Sequence, residues 1–172
     1  GAEDFVISLS NAVDFDTEKG TFDTEIDFGA EGFAKVKIAL GLAGIDIAKL
    51  RKASQIADFF ELMGLWGEIS EDLKMASIKL EYADENLADT VLAKAPNTDQ
   101  LVNMSGTQID IVLGQYPEQA EQLKAAISGF LNGKNGFKAS ATTQNPVGFM
   151  EMQSLYASGG LIDAVTFKFE GK

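Results

Sequence analysis

The residues of this chain that could do chemistry are acidic, and one group of them has the spacing of a cation-binding loop. Asp14, Asp16 and Glu18 occupy alternate positions, and Glu25 follows eleven residues after Asp14. Positions one, three, five and twelve of an EF-hand calcium loop have this spacing. Lys19, however, stands at the sixth position, where such a loop needs glycine for its sharp turn. We expect a charged hairpin tip here, and calcium binding by the four carboxylates is the alternative.

The composition excludes most other catalytic chemistry. The 172 residues include no cysteine and no histidine. Disulfides, thiolate nucleophiles and cysteine-ligated zinc are therefore impossible, and a Ser-His-Asp triad cannot be built. Neither a Ser-x-x-Lys pair nor the glycine-rich loop of a nucleotide-binding protein occurs in the chain. We predict no catalytic residues, no cofactor and no resident metal.

Paired carboxylates are the remaining route to catalysis. A glycosidase needs only two carboxyl groups roughly 5–10 Å apart, and 26 acidic residues supply such pairs by chance. The single tryptophan, Trp66, lies between Leu65 and Gly67 near the end of a predicted helix, where packing is the simpler role. A carboxylate-dependent hydrolase is therefore the least favoured function.

The charge balance argues against a nucleic-acid partner. Twenty-six acidic and 14 basic residues give a net charge of −12, which repels phosphate backbones. The longest apolar stretch, near residues 36–48, is interrupted by Lys37, Gly41, Gly44 and Asp46. A membrane helix needs about 20 apolar residues, so we predict no membrane-spanning segment.

Residues 1–45 carry the alternating pattern of half-buried strands. Apolar side chains occupy every second position in three runs, within residues 5–15, 22–28 and 36–40. Three consecutive strands predict an antiparallel meander. Charge then predicts a register for the second hairpin: if Ala30 is the centre of a three-residue turn, Glu25 faces Lys35 and Asp23 faces Lys37.

From Asp46 onward helical spacing alternates with further strands. The remaining predicted elements are a helix from Asp46 to about Gly64, a strand over 73–82, a helix over 84–95, a helix from Asn97 to Gly114, a helix from Pro117 to Gly133, a strand over 135–143, a short helix begun by Pro146 and lying around Phe149–Ala157, and a strand over 164–170. We expect the helices on either side of Gly114 to pack as a hairpin.

This order of elements predicts an α+β fold. We expect an antiparallel or mixed sheet of about six strands, beginning with the three-strand meander, with four to five helices packed on one face. An all-parallel sheet would show uninterrupted apolar runs, whereas these strands alternate. The length fits one domain over residues 1–172, with the meander in 1–45 and mixed helices and strands in 46–172.

Two segments carry a resemblance to a known group of proteins. The run Met75-Ala-Ser-Ile-Lys-Leu-Glu-Tyr-Ala-Asp84 is an alternating strand that ends in Asp and leads into a leucine-rich helix. Gly129-Phe-Leu-Asn-Gly133 is followed by a strand and then by Asn145-Pro146-Val147. Over about half of the chain this layout resembles uncharacterised exported proteins of Gram-negative bacteria. The resemblance implies a periplasmic domain of unknown function and assigns no site residues.

The first residues agree with export. The chain begins Gly-Ala-Glu-Asp without an initiator methionine, and a small residue at the start is typical of a chain from which a secretory signal peptide has been removed. We therefore expect an exported, periplasmic protein. An arbitrary cut within a longer cytoplasmic protein is the alternative.

Three functions follow as hypotheses, in decreasing order of preference. The first is a non-catalytic cell-envelope domain that binds or scaffolds an unknown protein partner. The second is a binder of a hydrophobic small molecule or lipid in an apolar cavity, lined by some of the five methionines and twelve phenylalanines. The third is the hydrolase. A cavity among the phenylalanines and methionines would favour the second.

Overall fold

A computed structural model describes residues 6–92, 97–133 and 135–172. The elements, in chain order, are β1 (Ile7–Asp16), β2 (Thr21–Ala30), β3 (Ala34–Ala43), α1 (Ile47–Ala53), α2 (Phe59–Asp72), β4 (Lys74–Asp84), α3 (Leu87–Leu92), α4 (Thr98–Leu113), α5 (Pro117–Gly133), β5 (Gly136–Gly148), α6 (Phe149–Ser158), α7 (Leu161–Ala164) and β6 (Val165–Gly171). The six strands form one sheet in the order β1 to β6, and each is antiparallel to its neighbours. The α+β class, the six strands and the opening meander are confirmed.

The predicted register of the β2–β3 hairpin is wrong. The prediction pairs acidic residues with lysines around Ala30: Glu25 with Lys35, and Asp23 with Lys37. In the structure the turn lies two residues further along the chain, at 31–33, and Lys37 faces Asp27. Gly32 takes a φ of +75° there, a conformation that favours glycine. This register pairs apolar residues such as Ile26 with Ile38 across the strands, and Lys37 still forms ion pairs with Glu25 and Asp27.

The single helix predicted from Asp46 is two helices. Asp46 is the N-cap of α1, and its Oδ1 accepts hydrogen bonds from the backbone N–H groups of Ala48 and Lys49 at 2.8 and 3.1 Å. Asp58 caps α2 in the same way, accepting from the N–H of Glu61 at 2.9 Å. Asp58 starts a new helix after a break in the helical structure. The break was not predicted because the helical spacing of apolar residues continues across it.

The predicted positions of α4 and α5 are confirmed, but the boundary between β5 and α6 differs. Asn97 caps α4 by accepting from the N–H of Asp99 at 2.7 Å, and α4 packs on α5. Pro146 lies inside β5 instead of starting a helix, which begins at Phe149. The β4–β5 register shifts between Met75 and Ser77, and Pro146 falls in this irregular part, where its missing N–H breaks no regular ladder.

The expected layer of four to five helices over one face is not confirmed in that form. Seven helices occur in the described residues, and those with the closest contacts to the sheet are α5 to α7, which contact β5 and β6. Helices α1 and α2 pack on each other through Ala53, Leu65 and Ile69. The predicted end of the α3 helix, at residues 93–95, lies outside the described residues. Every helix within the described segments is too short or too polar to span a lipid bilayer.

The sheet has one polar and one apolar face, because side chains alternate along each strand. Rows of paired residues cross all strands of the apolar face. One row is Leu9, Phe28, Val36, Tyr82, Phe137 and Gly171, and the next is Asn11, Ile26, Ile38, Leu80, Ala139 and Phe169. Phe167 and Phe169 lie on this face with the buried Val165, as predicted. The apolar face positions the candidate site.

Candidate functional site

An apolar pocket lies at the end of the sheet where β4 and β5 meet α3 and α5. Its volume is about 470 Å³, and it is lined by Tyr82, Leu87, Ala88, Leu92, Ile127, Phe130 and Phe137. Small-molecule sites in proteins commonly have volumes of about 300–1,000 Å³ and mostly apolar walls. Every lining side chain except Tyr82 is hydrocarbon. The pocket can therefore hold an apolar group, and it offers no charge to a polar one.

Helix α5 forms one wall because it approaches β6 unusually closely. Gly129 faces the carbonyl oxygen of Gly171, and a Cβ built on Gly129 would lie 2.7 Å from that oxygen. A Cβ on Gly171 would overlap the backbone carbonyl of Ala126. Three glycines without side chains, Gly129, Gly133 and Gly171, allow this contact of helix backbone with strand backbone. The close contact brings Phe130 over the sheet.

The floor of the pocket is aromatic. The rings of Phe130 and Tyr82 meet edge to face, with centroids 5.4 Å apart and an interplanar angle of 89°. Phe137 pairs with Tyr82 across β4 and β5 and lies on the same face. Edge-to-face aromatic contacts contribute about 0.5–1.5 kcal/mol beyond the area they bury. These rings give the pocket a rigid base.

The hydroxyl group of Tyr82 is already bonded within the protein. It donates a hydrogen bond to the carboxylate of Asp84, which also accepts from the N–H of Ala88 at 2.8 Å. Burial raises the pKa of the Tyr82 hydroxyl, and the hydrogen bond to Asp84 raises it further. Tyr82 therefore stays protonated at neutral pH, with its polar end directed to Asp84.

Helix α3 is held over the pocket by the β2–β3 turn. The carbonyl oxygen of Phe33 accepts from the N–H groups of Glu85, Asn86 and Leu87, at 2.8, 3.1 and 3.1 Å. The Glu85 carboxylate in turn accepts from the N–H of Gly32 at 3.0 Å and pairs with Lys35 at 2.5 Å. These contacts place Leu87 at the rim of the pocket.

Beyond the pocket the apolar face continues, and the described helices leave much of it exposed. Its exposed large side chains, which we call the open apolar face, are Leu9, Val13, Ile26, Phe28, Ile38, Ile78 and Leu80. Their exposed fractions run from 37% at Leu80 to 72% at Leu9. Large continuous patches of exposed apolar surface are typical of sites that bind a protein, a membrane or a ligand.

The four carboxylates with EF-hand spacing do not converge on one point. Asp16 lies at the β1–β2 turn, where Oδ1 accepts from the N–H groups of Glu18 and Lys19 at 3.0 Å and Oδ2 pairs with Lys19 at 2.9 Å. Glu25 lies within β2 and pairs with Lys37 at 2.8 Å. Asp14 faces another acid, Asp23. No group of three or more acidic residues in the described segments could hold a metal ion.

The candidate aromatic and methionine positions lie mostly outside the pocket. Trp66 is 46% exposed on α2, which also carries the exposed Phe59 and Phe60. The pocket uses two of the phenylalanines and none of the methionines. Sequence reasoning missed Leu87, Leu92 and Ile127; their helical spacing indicated buried faces but did not show that α3 and α5 face one another.

Comparisons with known proteins add one assignment. Neither the curated proteins nor the solved structures include a match to this chain. A family model described as "Uncharacterized protein" matches residues 27–170, from the second half of β2 to β6. The match includes every residue that lines the apolar pocket. The chain therefore belongs to this family of uncharacterised proteins.

Proposed function

We propose that this chain is a non-catalytic binding domain that holds the hydrophobic part of a small molecule or lipid in the apolar pocket. The observation that carries the proposal is the lining of the pocket: six hydrocarbon side chains and one tyrosine whose hydroxyl is bonded to Asp84. An apolar ligand that binds against these side chains is stabilised by about 25 cal/mol for each Å² of apolar surface removed from water. The pocket has no group that would orient a reacting bond.

The titratable groups support binding over hydrolysis. A carboxylate-dependent hydrolase needs one carboxyl group whose pKa is raised, so that it can donate a proton. The hydrogen bonds from Lys19, Lys138 and Lys35 lower the pKa values of Asp16, Glu81 and Glu85. These acids are ionised at neutral pH and bonded to lysine.

The cell envelope is the setting that we propose for this binding. The expected export, the resemblance to periplasmic proteins and an apolar ligand all agree with an extracytoplasmic lipid-binding role. The net charge of −12 disfavours attachment to anionic membrane surfaces. A neutral apolar ligand therefore fits better than an anionic one.

A scaffolding role is the second candidate, and the open apolar face favours it. Side chains such as Leu9, Phe28 and Ile38 are 72%, 44% and 43% exposed and form one continuous surface on the sheet. A protein partner that covered this face would bury them. Ligand binding in the pocket and partner binding on the open apolar face use adjacent parts of the same face of the sheet. A variant that fills the pocket should weaken the first and leave the second unchanged.

The experiment is a titration with N-phenyl-1-naphthylamine, a neutral probe that becomes fluorescent in apolar sites. We expect the unmodified chain to bind it, and Leu87→Trp, which places a larger side chain at the pocket rim, to bind at least about tenfold more weakly. Ile111→Trp is the matched control, because Ile111 lies on α4 and is 71% exposed. It should bind like the unmodified chain.

Equal binding by Leu87→Trp and the unmodified chain would show that the pocket is not the site. In that case the open apolar face would become the leading candidate. Native mass spectrometry of protein purified from its own organism, followed by organic extraction, identifies the natural ligand. A defined lipid at near-stoichiometric amount is the expected result.

A further inference from the structure

The outer edge of β1 is unprotected in a way that natural sheets avoid. Edge strands usually carry lysine, proline or a bulge, because their free N–H and C=O groups can pair with another chain. β1 has the sequence Ile-Ser-Leu-Ser-Asn-Ala-Val-Asp-Phe-Asp, with no lysine and no proline and with its two charges, Asp14 and Asp16, confined to one end. It pairs with β2 through ten consecutive residues without a register shift. Among the described residues only β2 pairs with it.

The backbone groups that point outward from β1 can be identified. The N–H of Glu31 donates to the carbonyl oxygen of Val6 at 3.1 Å, so Val6 directs its backbone groups toward β2. In an antiparallel pair the direction alternates with each residue. Ser8, Ser10, Ala12 and Asp14 therefore also point inward, and five residues present their N–H and C=O groups at the free edge: Ile7, Leu9, Asn11, Val13 and Phe15.

This edge is complementary to itself about a two-fold axis at Asn11. In that register Ile7 faces the second copy's Phe15, Leu9 faces its Val13, and Asn11 faces Asn11. All five outward residues then pair with residues of the second copy. The side chains of these five residues all lie on the apolar face of the sheet. Apolar cross-strand pairs of this kind contribute about 0.2–1 kcal/mol each. The Asn11 amide is both a donor and an acceptor, so the two copies can bond to each other.

The charges agree with the same register. Asp14 faces Ser8 of the second copy, and Asp16 faces Val6, so no two acids are opposed. A shift that places Asp14 opposite Asp14 would oppose like charges and would leave part of the edge unpaired. The pairing centred on Asn11 uses the whole described edge and has no such repulsion.

The other edge of the sheet excludes a head-to-tail arrangement. β6 has seven residues, and α5 lies against its C-terminal part, where Gly171 contacts the backbone of Ala126. A β1 edge cannot pair with this C-terminal part of β6. The two edges therefore favour a closed pair related by a two-fold axis over an open filament.

We propose that two copies of this chain pair through β1, antiparallel and centred on Asn11, to form a continuous twelve-stranded sheet. The apolar faces of both copies then lie on one side of this sheet. The inference does not depend on the pocket binding a ligand. Because each copy has a net charge of −12, association should strengthen with added salt, which screens the repulsion.

The absence of cysteine allows a direct test. In Asn11→Cys the only two thiols of the dimer are directly opposite, with Cα atoms about 5.5 Å apart, within the range for a disulfide. In Ser8→Cys, the matched control, the thiols are offset by six residues, or about 20 Å. Under mild oxidation we expect Asn11→Cys to form a covalent dimer and Ser8→Cys to remain largely monomeric.

Charge provides a second test that needs no cross-link. Asn11→Lys places two lysines directly opposite each other, whereas Ser8→Lys adds the same charge opposite Asp14. By light scattering coupled to gel filtration in moderate salt, we expect the unmodified chain and Ser8→Lys to be dimeric. Dimerisation of Asn11→Lys should be at least about tenfold weaker, with an unchanged circular dichroism spectrum.

A monomeric unmodified chain at high protein concentration would overturn the proposal. So would equal cross-linking of Asn11→Cys and Ser8→Cys, or a dimer that Asn11→Lys leaves intact, since each places the interface elsewhere. If Asn11→Lys fails to fold, the comparison of the two cysteine variants decides the question by itself.

Discussion

The two halves of the apolar face, over the first strands and over β5 and β6, carry the same alternation of apolar and polar residues, but in the described residues helix packs closely on only one of them. Over β5 and β6 the helix α5 packs against the sheet, and Val165, Ala141 and Leu131 are buried. Over β1 to β3 the corresponding side chains, such as Leu9 and Ile38, are exposed. Alternation therefore shows which face of a strand is apolar, and not whether anything covers that face.

The difference has a local cause. Glycines on α5 and β6 let helix and strand backbones touch, which brings α5 close to the sheet at one edge. No helix contacts β1 to β3 with comparable closeness in the described residues. The covered side should therefore provide most of the stability of the fold, whereas the open side is available for binding.

Removing a buried side chain from the covered side gives the largest expected effect. Leu131 is 9% exposed on α5, and Leu131→Ala should lower the free energy of unfolding by about 2–4 kcal/mol through lost burial and a residual cavity. Ile38→Ala, on the open apolar face, should lower it by about 1 kcal/mol or less, because Ile38 is 43% exposed. Urea denaturation of both variants measures the difference. Equal losses would mean that the open face is covered in solution.

A methyl group at the contact between α5 and β6 should have the next largest effect. In Gly171→Ala the new Cβ overlaps the backbone of Ala126, and neither backbone can move freely. We expect a loss of about 1–3 kcal/mol, as for other overpacked sites. The control is Gly64→Ala in α2, where nothing lies within 4 Å of the new Cβ.

The control should behave in the opposite way. Alanine is a better helix former than glycine, so Gly64→Ala should raise stability by about 0.5–1 kcal/mol. Thermal melts of the two variants therefore shift in opposite directions. A Gly171→Ala protein as stable as the unmodified chain would show that α5 does not touch β6. The α5–β6 contact could then not explain why helix covers only one half of the apolar face.

The smallest effect concerns the ion pair that joins the β2–β3 turn to α3. The hydrogen bond from Lys35 lowers the pKa of Glu85, so the ionised form is favoured in the folded state. The resulting stability is present above the unfolded-state pKa of about 4.3 and is lost as pH falls through the lower folded-state value. Glu85→Gln should therefore be less stable than the unmodified chain at pH 7.

The same comparison at low pH provides the control. At pH 3 or below, the difference between Glu85→Gln and the unmodified chain should shrink, because Glu85 itself becomes protonated. Urea denaturation at the two pH values measures both differences. A pH-independent difference would mean that the substitution acts through packing, and the ion pair would have no role in holding α3 over the pocket.

Much of the fold could be predicted from local patterns. Alternation along residues 5–40 predicted the meander, and the cap residues Asp46 and Asn97 predicted the starts of α1 and α4. These signals are local, because a side chain a few residues away supplies the hydrogen bond or the turn. The boundaries failed where a longer-range contact decided, as at Pro146, which the irregular β4–β5 pairing keeps within a strand.

For the candidate site, only its apolar composition could be predicted from the sequence, and not its location or its lining residues. A cavity among apolar residues was an expectation, but Ile127 and Phe130 on α5 and Leu87 on α3 are far apart in the sequence. Their meeting depends on the glycine contact of α5 with β6 and on the turn that holds α3. Neither contact leaves a periodic signal.

By itself, the sequence determined the chemistry that is impossible, the alternation of each strand and the family to which the chain belongs. Only the tertiary structure decided which part of the apolar face is covered by helix, the register of the β2–β3 hairpin and the presence of a pocket. The reason is physical: composition and period act on each residue and its near neighbours, whereas register and cover depend on the meeting of segments that are distant in the chain.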